Sequence, residues 1–226
     1  MNPAEITDIL AIDGPAGAGK STVARGVADA LRFAFLDSGA MYRAATWYAL
    51  QRGIDLEDAI ALAGAARAMQ YDARELDDGQ HVFVDGQDVT REIRTPEVTR
   101  YIASLDHNPD VRAHLVELQR AVGARGRTVA EGRDMGTVVF PKAKCKVYLD
   151  ASIEERARRR GREFDAKGIA YDAASLKEDI RARDDKDMTR TVAPLRRAPD
   201  AVLLDTSHMA TSDVIDAIVA LAKQRW

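Results

Sequence analysis

Eight consecutive residues carry the clearest chemical signal in this chain. The segment Gly14-Pro-Ala-Gly-Ala-Gly-Lys-Ser21 matches G-x-x-x-x-G-K-[ST] at every fixed position. Glycines let a backbone fold tightly enough to aim several N–H groups at phosphate oxygens, and a helix that begins there adds its partial positive charge. The pattern therefore predicts a loop that binds a nucleoside triphosphate, with Lys20 between the β- and γ-phosphates and the Ser21 hydroxyl on Mg²⁺.

Four other clusters of charged side chains bear on whether the chain is a nucleotide-dependent switch or a small-molecule kinase. Each alone has an ordinary structural explanation, such as a helix cap at Ser38 or a solvated helix face around Arg159. Their joint presence with a phosphate-binding loop, in a chain of net charge −3, favours a site for a second anion, because phosphoryl transfer needs several fixed cations. The clusters are Leu36–Arg43, Glu131–Gly136, Ile153–Arg160 and Arg181–Arg190.

Length and composition are typical of one soluble α/β domain with room for an insertion. The 226 residues are 46% hydrophobic and 31% charged, and the slightly negative net charge disfavours a general nucleic-acid binder. The single cysteine, Cys145, excludes an intramolecular disulfide and lies in a strand-like run, where we expect it to pack. The N-terminal segment lacks a signal-peptide pattern and no stretch approaches the ~20 apolar residues that span a bilayer, so we expect a cytoplasmic protein without membrane partners.

Short apolar runs alternate with helical patterns along most of the chain. Ile9–Asp13 predicts a buried strand that ends at Gly14, and Thr22–Leu31 predicts the helix after the loop. Because the predicted strands are continuous apolar runs, they favour a parallel sheet covered on both faces. The other predicted strands are residues 33–36, 128–130, 146–149 and 201–204, and the other predicted helices are residues 41–50, 59–69, 153–163 and 214–222.

Two segments interrupt this rhythm. His81–Val89 contains an Asp-Gly turn between β-type residues, which is a hairpin signal, and Thr95 can cap a helix that has Pro96 in its first position. A hairpin does not add smoothly to a buried parallel sheet, so residues 64–105 are predicted to be an inserted subdomain of a core made by residues 1–63 and 106–226. The polar, arginine-rich segment 156–171 is predicted to be a mobile flap, or lid, within that core.

Several stretches together resemble the bacterial cytidylate kinase family over nearly the whole chain. The phosphate loop is shared with many unrelated proteins, but the Asp-Ser-Gly-Ala-x-Tyr-Arg, Gly-Arg-Asp-Met-Gly and Arg-Asp-Asp-x-Asp-x-x-Arg stretches are specific to this family. The resemblance implies an α/β, three-layer P-loop NTPase fold. That fold has a five-stranded parallel sheet flanked by helices, an inserted nucleoside-monophosphate-binding subdomain and a short lid. The stretches are Gly14–Thr22, Asp37–Arg43, Arg94–Val98, Gly132–Pro141, Leu149–Ser152 and Arg183–Arg190.

The resemblance also implies a role for each site residue. By this resemblance, ATP is the phosphoryl donor, Mg²⁺ is the cofactor, and CMP or dCMP is the acceptor. We expect a monomer without a nucleic-acid partner. The catalytic set is Lys20, Arg133, Arg159 and Arg190, with Arg156 and Arg160 as the next candidates after Arg159. The ATP-binding set is Gly14, Pro15, Ala16, Gly17, Ala18, Gly19, Lys20, Ser21 and Thr22. The acceptor-binding set is Ser38, Tyr42, Arg43, Arg112, Arg133, Asp134, Arg183, Asp187 and Arg190.

The chemistry of these residue types suits a cytosine ring. Serine and aspartate accept from its exocyclic amine and arginine donates to N3 and O2, whereas uracil reverses that pattern. One departure from the family is Glu131, which stands where relatives commonly have aspartate, at a position that can hold a magnesium-bound water. Kinases of UMP, AMP or shikimate remain the main alternatives. A GTPase-like switch would need an Asn-Lys-x-Asp motif, which the sequence lacks.

Overall fold

We analysed a computed structural model of the chain, which describes residues 6–166, 168 and 170–226. The described residues form two compact units. One comprises the chain up to Leu36 together with Arg120–Trp226, and is called the sheet unit below; the other, Asp37–Gln119, is called the helical unit. Residues 167 and 169 of the predicted lid lie outside the described residues.

The sheet unit is built on a five-stranded parallel sheet of order β2-β6-β1-β7-β8, which confirms the predicted fold class. The central strand β1 is wholly buried and pairs in register with β6 (Ile9 with Thr128) and with β7 (Leu10 with Cys145). The strand order puts the loop after β1 in the middle of the carboxyl edge of the sheet, where open α/β sheets bind ligands. The strands are β1 (Ile9–Asp13), β2 (Ala34–Asp37), β6 (Thr128–Gly132), β7 (Cys145–Asp150) and β8 (Val202–Asp205).

Helices cover both faces of this sheet. Leu10 and Ile12 pack on one face with α1 (Lys20–Leu31) and α8 (Thr211–Lys223), and Cys145 lies buried in the same core, as predicted. Ile9 points to the other face, where Phe140 and the last turn of α5 (Pro109–Gly123) pack so closely that a Cβ on Gly123 would lie 2.7 Å from the Phe140 ring. Helices α6 (Ile153–Ala166) and α7 (Ala173–Thr189) pack together through Ala157, Leu176 and Ile180.

The helical unit has its own apolar core and a three-stranded antiparallel sheet of order β3-β4-β5. The predicted turn at Asp85-Gly86 joins β4 to β5, and the Thr95 hydroxyl caps α4, which starts at Pro96, as the sequence indicated. The strand before this hairpin was not predicted, because Tyr71–Leu76 is largely exposed and polar. The elements are α2 (Ser38–Gln51), α3 (Ala59–Ala68), β3 (Tyr71–Leu76), β4 (Gly79–Val84), β5 (Gln87–Asp88), α4 (Pro96–Asp106) and the first part of α5.

The helical unit is wider than the insertion expected at residues 64–105. Its core includes Tyr48 and Ala45 of α2 on one side of that range and Leu115 of α5 on the other. Periodicity marks a break in strand–helix alternation, but it does not show which neighbouring helices share a core with the inserted strands. The boundaries at Asp37 and Gln119 therefore follow from packing.

Two leucines on neighbouring strands of the sheet unit provide a matched test of this core. Leu149 of β7 is fully buried, whereas Leu203 of β8 is 50% exposed. We expect Leu149→Ala to reduce the free energy of unfolding by about 2–5 kcal/mol through lost burial and a residual cavity, and Leu203→Ala to change it by less than about 1 kcal/mol. Urea denaturation followed by circular dichroism measures both, and equal losses would contradict the assignment of the core.

Candidate active site

The phosphate loop connects β1 to α1 through backbone that strongly favours glycine. Gly14 has φ +154°, and a Cβ there would lie 2.1 Å from the carbonyl oxygen of Leu149, so a side chain cannot be accommodated without moving β7. Gly19 has φ +87° in the left-handed region and precedes the first residue of α1. The loop can therefore bring its N–H groups and the N-terminus of α1 to one place, as phosphate binding requires.

Lys20 is held inside this loop. Its side chain is buried, and its ammonium Nζ donates to the carbonyl oxygen of Pro15 at 2.8 Å. Burial, together with the positive charge of Arg133, lowers the pKa of Lys20 to about 7. A buried ammonium with a lowered pKa gains most from an anionic ligand, because the ligand supplies the negative charge that the surroundings lack.

Oxygen ligands lie beside the loop. The Ser21 hydroxyl donates to Oε1 of the buried Glu131 at 2.6 Å, so two of the residues implicated in Mg²⁺ binding are in direct contact. Asp13, at the end of β1, accepts from the backbone N–H groups of Met135 and Gly136, each at 2.8 Å. Burial raises the pKa of Asp13 to about 6. Its two hydrogen bonds fix the backbone immediately after the Arg133-Asp134 pair.

Five acceptor-site candidates lie together in the sheet unit. Arg133, after β6, donates through Nε to Asp187 of α7 at 2.7 Å. Burial raises the pKa of Asp187, but the positive charge and hydrogen bond of Arg133 outweigh it and hold the pKa of Asp187 below the usual range. Arg190, at the end of α7, lies 3.9 Å from the Asp134 carboxylate, and both side chains are almost fully buried. Arg183 precedes Asp187 by one helical turn and faces the same charges, since it contributes to the potential at both Lys20 and Asp187.

Two arginines of α6 contact carbonyl groups of the phosphate loop. Arg156 donates to the carbonyl oxygen of Ala16 at 3.1 Å and also to the Asp184 carboxylate, and it is buried. Arg159 donates to the carbonyl oxygen of Ala18 at 3.1 Å and to the carbonyl oxygen of Thr206, at the end of β8, at 2.7 Å. Arg160, in contrast, forms an ion pair with Glu163 on the same helix.

The remaining acceptor-site candidates lie in the helical unit. Ser38 and Tyr42 are buried on the first turns of α2, whose N-terminus is capped by the Asp37 carboxylate through the N–H of Ala40 at 2.8 Å. The Arg112 guanidinium lies over the Tyr42 ring, 5.5 Å from its centroid. Arg43 donates to the Thr99 hydroxyl of α4 at 2.9 Å. Helix α2 thus presents Ser38, Tyr42 and Arg43 from its first two turns.

Sequence reasoning missed three side chains near the phosphate loop: Asp184 binds the loop itself, Asp13 binds the segment after β6, and Thr206 binds Arg159. Asp13 looked like the last residue of a strand, Asp184 was one acid in a charged helix, and Thr206 carried no motif. Asp184 and Asp187 are three positions apart, and this i, i+3 spacing on a helix could have shown that both acids share one face. The link from Asp184 to the phosphate loop, 168 residues away, has no local signal.

Comparison with known proteins identifies relatives over the same residues. Residues 10–224 match the cytidylate kinase family model. The cytidylate kinase of Anoxybacillus flavithermus is 44% identical over 96% of both chains, and that of a Geobacillus strain is equally similar. The bifunctional pantoate ligase/cytidylate kinase of Synechococcus sp. strain JA-3-3Ab is 49% identical over 96% of this chain but only 41% of its own length. This chain therefore spans about two fifths of such bifunctional relatives.

The lowered pKa of Lys20 predicts that nucleotide binding takes up a proton. Above pH 7 the buried amine of the free protein is largely neutral, whereas phosphate oxygens beside it favour the ammonium. We expect the affinity for a nucleoside triphosphate to fall as the pH rises above 7, with an uptake at pH 8 approaching about one proton. Calorimetric titration in two buffers of different ionisation enthalpy measures the uptake, and Lys20→Met should abolish it. A wild-type heat that is independent of the buffer would contradict the prediction.

Proposed function

The chain belongs to the cytidylate kinase family, and from this membership we propose that it transfers the γ-phosphoryl group of ATP to CMP or dCMP. The products are ADP and CDP or dCDP. The single observation that carries the proposal is the family match over residues 10–224, which includes every residue of the candidate site. The resemblance further supports action as a monomer on small-molecule substrates.

The donor side of the proposed reaction rests on the phosphate loop. Backbone N–H groups of Gly14–Thr22 surround the ATP phosphates. Lys20 offsets the negative charge on the β- and γ-phosphates while that charge shifts during transfer. The contact between Lys20 and the Pro15 carbonyl is then exchanged for contacts with phosphate oxygens. Because phosphoryl transfer spreads charge over several oxygens, one cation is insufficient, and the arginines of α6 and α7 supply the others.

A magnesium ion fits the oxygen atoms beside the loop. Ser21 and Glu131 offer a hydroxyl and a carboxylate within hydrogen-bonding distance of each other, and Mg²⁺ prefers such oxygen ligands together with substrate phosphates. Among the described residues no group of three or more acids, histidines or cysteines could hold a metal by itself, which suits an ion shared with phosphate. When bound, the ion offsets negative charge on the phosphates. Ser21 would hold it directly and Glu131 through a water.

The acceptor side follows the residue roles that the family resemblance implies. We assign the cytosine ring to Ser38, Arg112, Asp134 and Arg183, and the sugar to Asp187 with Arg183. The phosphate of CMP is assigned to Arg43, Arg133 and Arg190, and Tyr42 is assigned to pack against the base or hydrogen-bond the nucleotide. The donor and acceptor types support this assignment: carboxylate and hydroxyl oxygens suit the exocyclic amine, and guanidinium groups suit N3, O2 and phosphate. The helical unit is then the nucleoside-monophosphate-binding subdomain.

The proposed mechanism is in-line transfer without a covalent intermediate on the protein. An oxygen of the CMP phosphate attacks the γ-phosphorus of ATP, and that dianionic phosphate needs little help from a general base at neutral pH. Rate acceleration comes from positioning and from fixed positive charge. Lys20, Arg133, Arg159 and Arg190 provide that charge, and segment 156–171 acts as the lid that excludes water, since an open site would hydrolyse ATP.

A panel of phosphoryl acceptors tests the function directly. With ATP and magnesium, we expect rapid ADP formation with CMP and dCMP, and much slower formation with UMP, AMP or shikimate. The physical reason is that UMP leaves a buried acceptor without its donor, at a cost of about 1–3 kcal/mol or more. A coupled spectrophotometric assay measures kcat/KM for each. Equal values for CMP and UMP would refute the cytosine-specific part of the proposal.

Asp134→Ala tests the assignment of the cytosine edge. We expect kcat/KM for CMP to fall by about 10- to 100-fold, because the base loses an acceptor for its amine, while the affinity for ATP stays within about threefold. The matched control is Asp185→Ala, an exposed acid of α7 to which no substrate role is assigned. If Asp134→Ala weakened ATP and CMP equally, the carboxylate would serve mainly to orient Arg190.

A further inference from the structure

Two successive peptide groups of the phosphate loop are bound by three charged side chains that are themselves buried. The carbonyl oxygen of Pro15 accepts from Lys20 Nζ at 2.8 Å. The N–H of the same peptide group, which belongs to Ala16, donates to Asp184 Oδ1 at 3.3 Å. The carbonyl oxygen of Ala16 accepts from Arg156 Nη1 at 3.1 Å. One peptide plane is thus held at its carbonyl end by Lys20 and at its N–H end by Asp184.

Asp184 and Arg156 are also bound to each other. The Arg156 guanidinium donates to Asp184 Oδ2, and its Nε donates to the carbonyl oxygen of Ala151 at 3.0 Å. Their relative exposures are 6% and 8%. The attraction within a buried ion pair does not offset the cost of removing both charges from water unless their remaining polar atoms are also hydrogen-bonded. Here the peptide groups of the loop satisfy them, so the pair and the loop complete each other.

The backbone of the loop also leaves little room to shift away from this pair. A Cβ built on Gly17 would lie 3.2 Å from Cβ of Arg156, and Gly17 has φ +76°. The loop therefore lies directly against the Arg156 side chain, and the Asp184 carboxylate that Arg156 binds accepts from the N–H of Ala16. The carbonyl oxygen of Pro15 also accepts from the N–H of Ala18 at 3.4 Å, so a backbone turn within the loop adds to these contacts.

We propose that Asp184 and Arg156 are positioning residues that set the shape of the phosphate loop before ATP binds. Asp184 fixes the Pro15–Ala16 peptide plane, and the carbonyl of that plane holds the Lys20 ammonium inside the loop. A loop backbone that is oriented in advance needs no reorganisation when the ligand arrives, which is how preorganised sites gain affinity and rate. Only the Lys20 ammonium exchanges its contact, from the Pro15 carbonyl to phosphate oxygens. The inference deepens the proposed function and rests on it for the identity of the ligand, ATP.

A purely structural role is the alternative. The pair joins α6 to α7, and these helices already share an apolar contact through Ala157, Leu176 and Ile180. If the pair served only to join the helices, ATP affinity would follow protein stability from variant to variant. If the pair positions the loop, replacing both partners with apolar residues restores stability but not ATP affinity. The double replacement removes the buried charges, yet the N–H and carbonyl oxygen of Ala16 still lack their partners.

The test compares Asp184→Leu, Arg156→Met and the double variant in the full chain. Affinity is measured with a fluorescent N-methylanthraniloyl derivative of ATP in magnesium buffer without acceptor, and stability by urea denaturation. We expect each single variant to be destabilised and to bind the ATP derivative about 10- to 100-fold more weakly. The double variant should recover stability relative to both single variants, yet still bind at least about 10-fold more weakly than the wild type.

Controls separate this inference from the proposed function. Asp185→Leu makes the same change one residue along α7, at an exposed position, and should leave affinity within about twofold of the wild type. Recovery of ATP affinity in parallel with stability in the double variant would overturn the positioning role, as would unchanged affinity in Asp184→Leu. Wild-type binding of the ATP derivative without turnover of CMP would refute the proposed acceptor while leaving the result on Asp184 and Arg156 intact.

Discussion

The site depends on one constraint: a phosphate-binding loop must keep its N–H groups directed at the ligand while the charges around it are buried. Lys20, Glu131, Asp13 and Asp184 are all nearly inaccessible to solvent. An unpaired charge in such surroundings would cost several kcal/mol, on the order of the whole stability of a domain. Each of these groups therefore has a partner, and several of the partners are backbone atoms of the loop or of the segment after β6.

The parallel sheet brings these partners together. Strands β1, β6, β7 and β8 all end at one edge, so Gly14, Arg133, Ala151 and Thr206 come from distant parts of the chain to neighbouring positions. Apolar residues on both faces of the sheet, such as Ile218 on one face and Phe140 on the other, hold that edge in place. Apolar packing thus supplies the free energy that holds a set of buried charges in place, and the charges supply the specificity for an anionic ligand.

The electrostatics are poised for a ligand of opposite sign. Burial lowers the pKa of Lys20 most, and the positive charges of Arg133 and Arg183 lower it further, while Glu131 and Asp187 oppose them. Binding of phosphate relieves the repulsion among these cations. The same arrangement explains why arginines recur in α6 and α7: a guanidinium keeps its charge when buried, whereas the Lys20 amine is already close to losing its proton near pH 7.

Most of the sheet unit was predictable from sequence because its signals are local. The apolar run Ile9–Asp13, the glycine-rich loop and the helix after it follow one another along the chain, and the hairpin turn at Asp85-Gly86 is equally local. The polar strand Tyr71–Leu76 was not predictable, since it buries little surface and has no alternating pattern to mark it. The limits of the helical unit were also beyond the sequence, because α2 and α5 join that unit through packing alone.

For the site, the sequence by itself determined which residue types could bind a triphosphate and a second anion. The glycine-rich loop motif and the clustered arginines are visible in the sequence, and their affinity for anions follows from their chemistry. Only the tertiary structure decided which charges meet. Arg156 and Arg159 look alike on one helix, yet the first is buried against Asp184 and Ala16 whereas the second reaches Ala18 and Thr206. The contacts with the phosphate loop join residues 140 and 141 positions apart, and no local pattern encodes them, since they arise where separate strands and helices end at the same edge of one sheet.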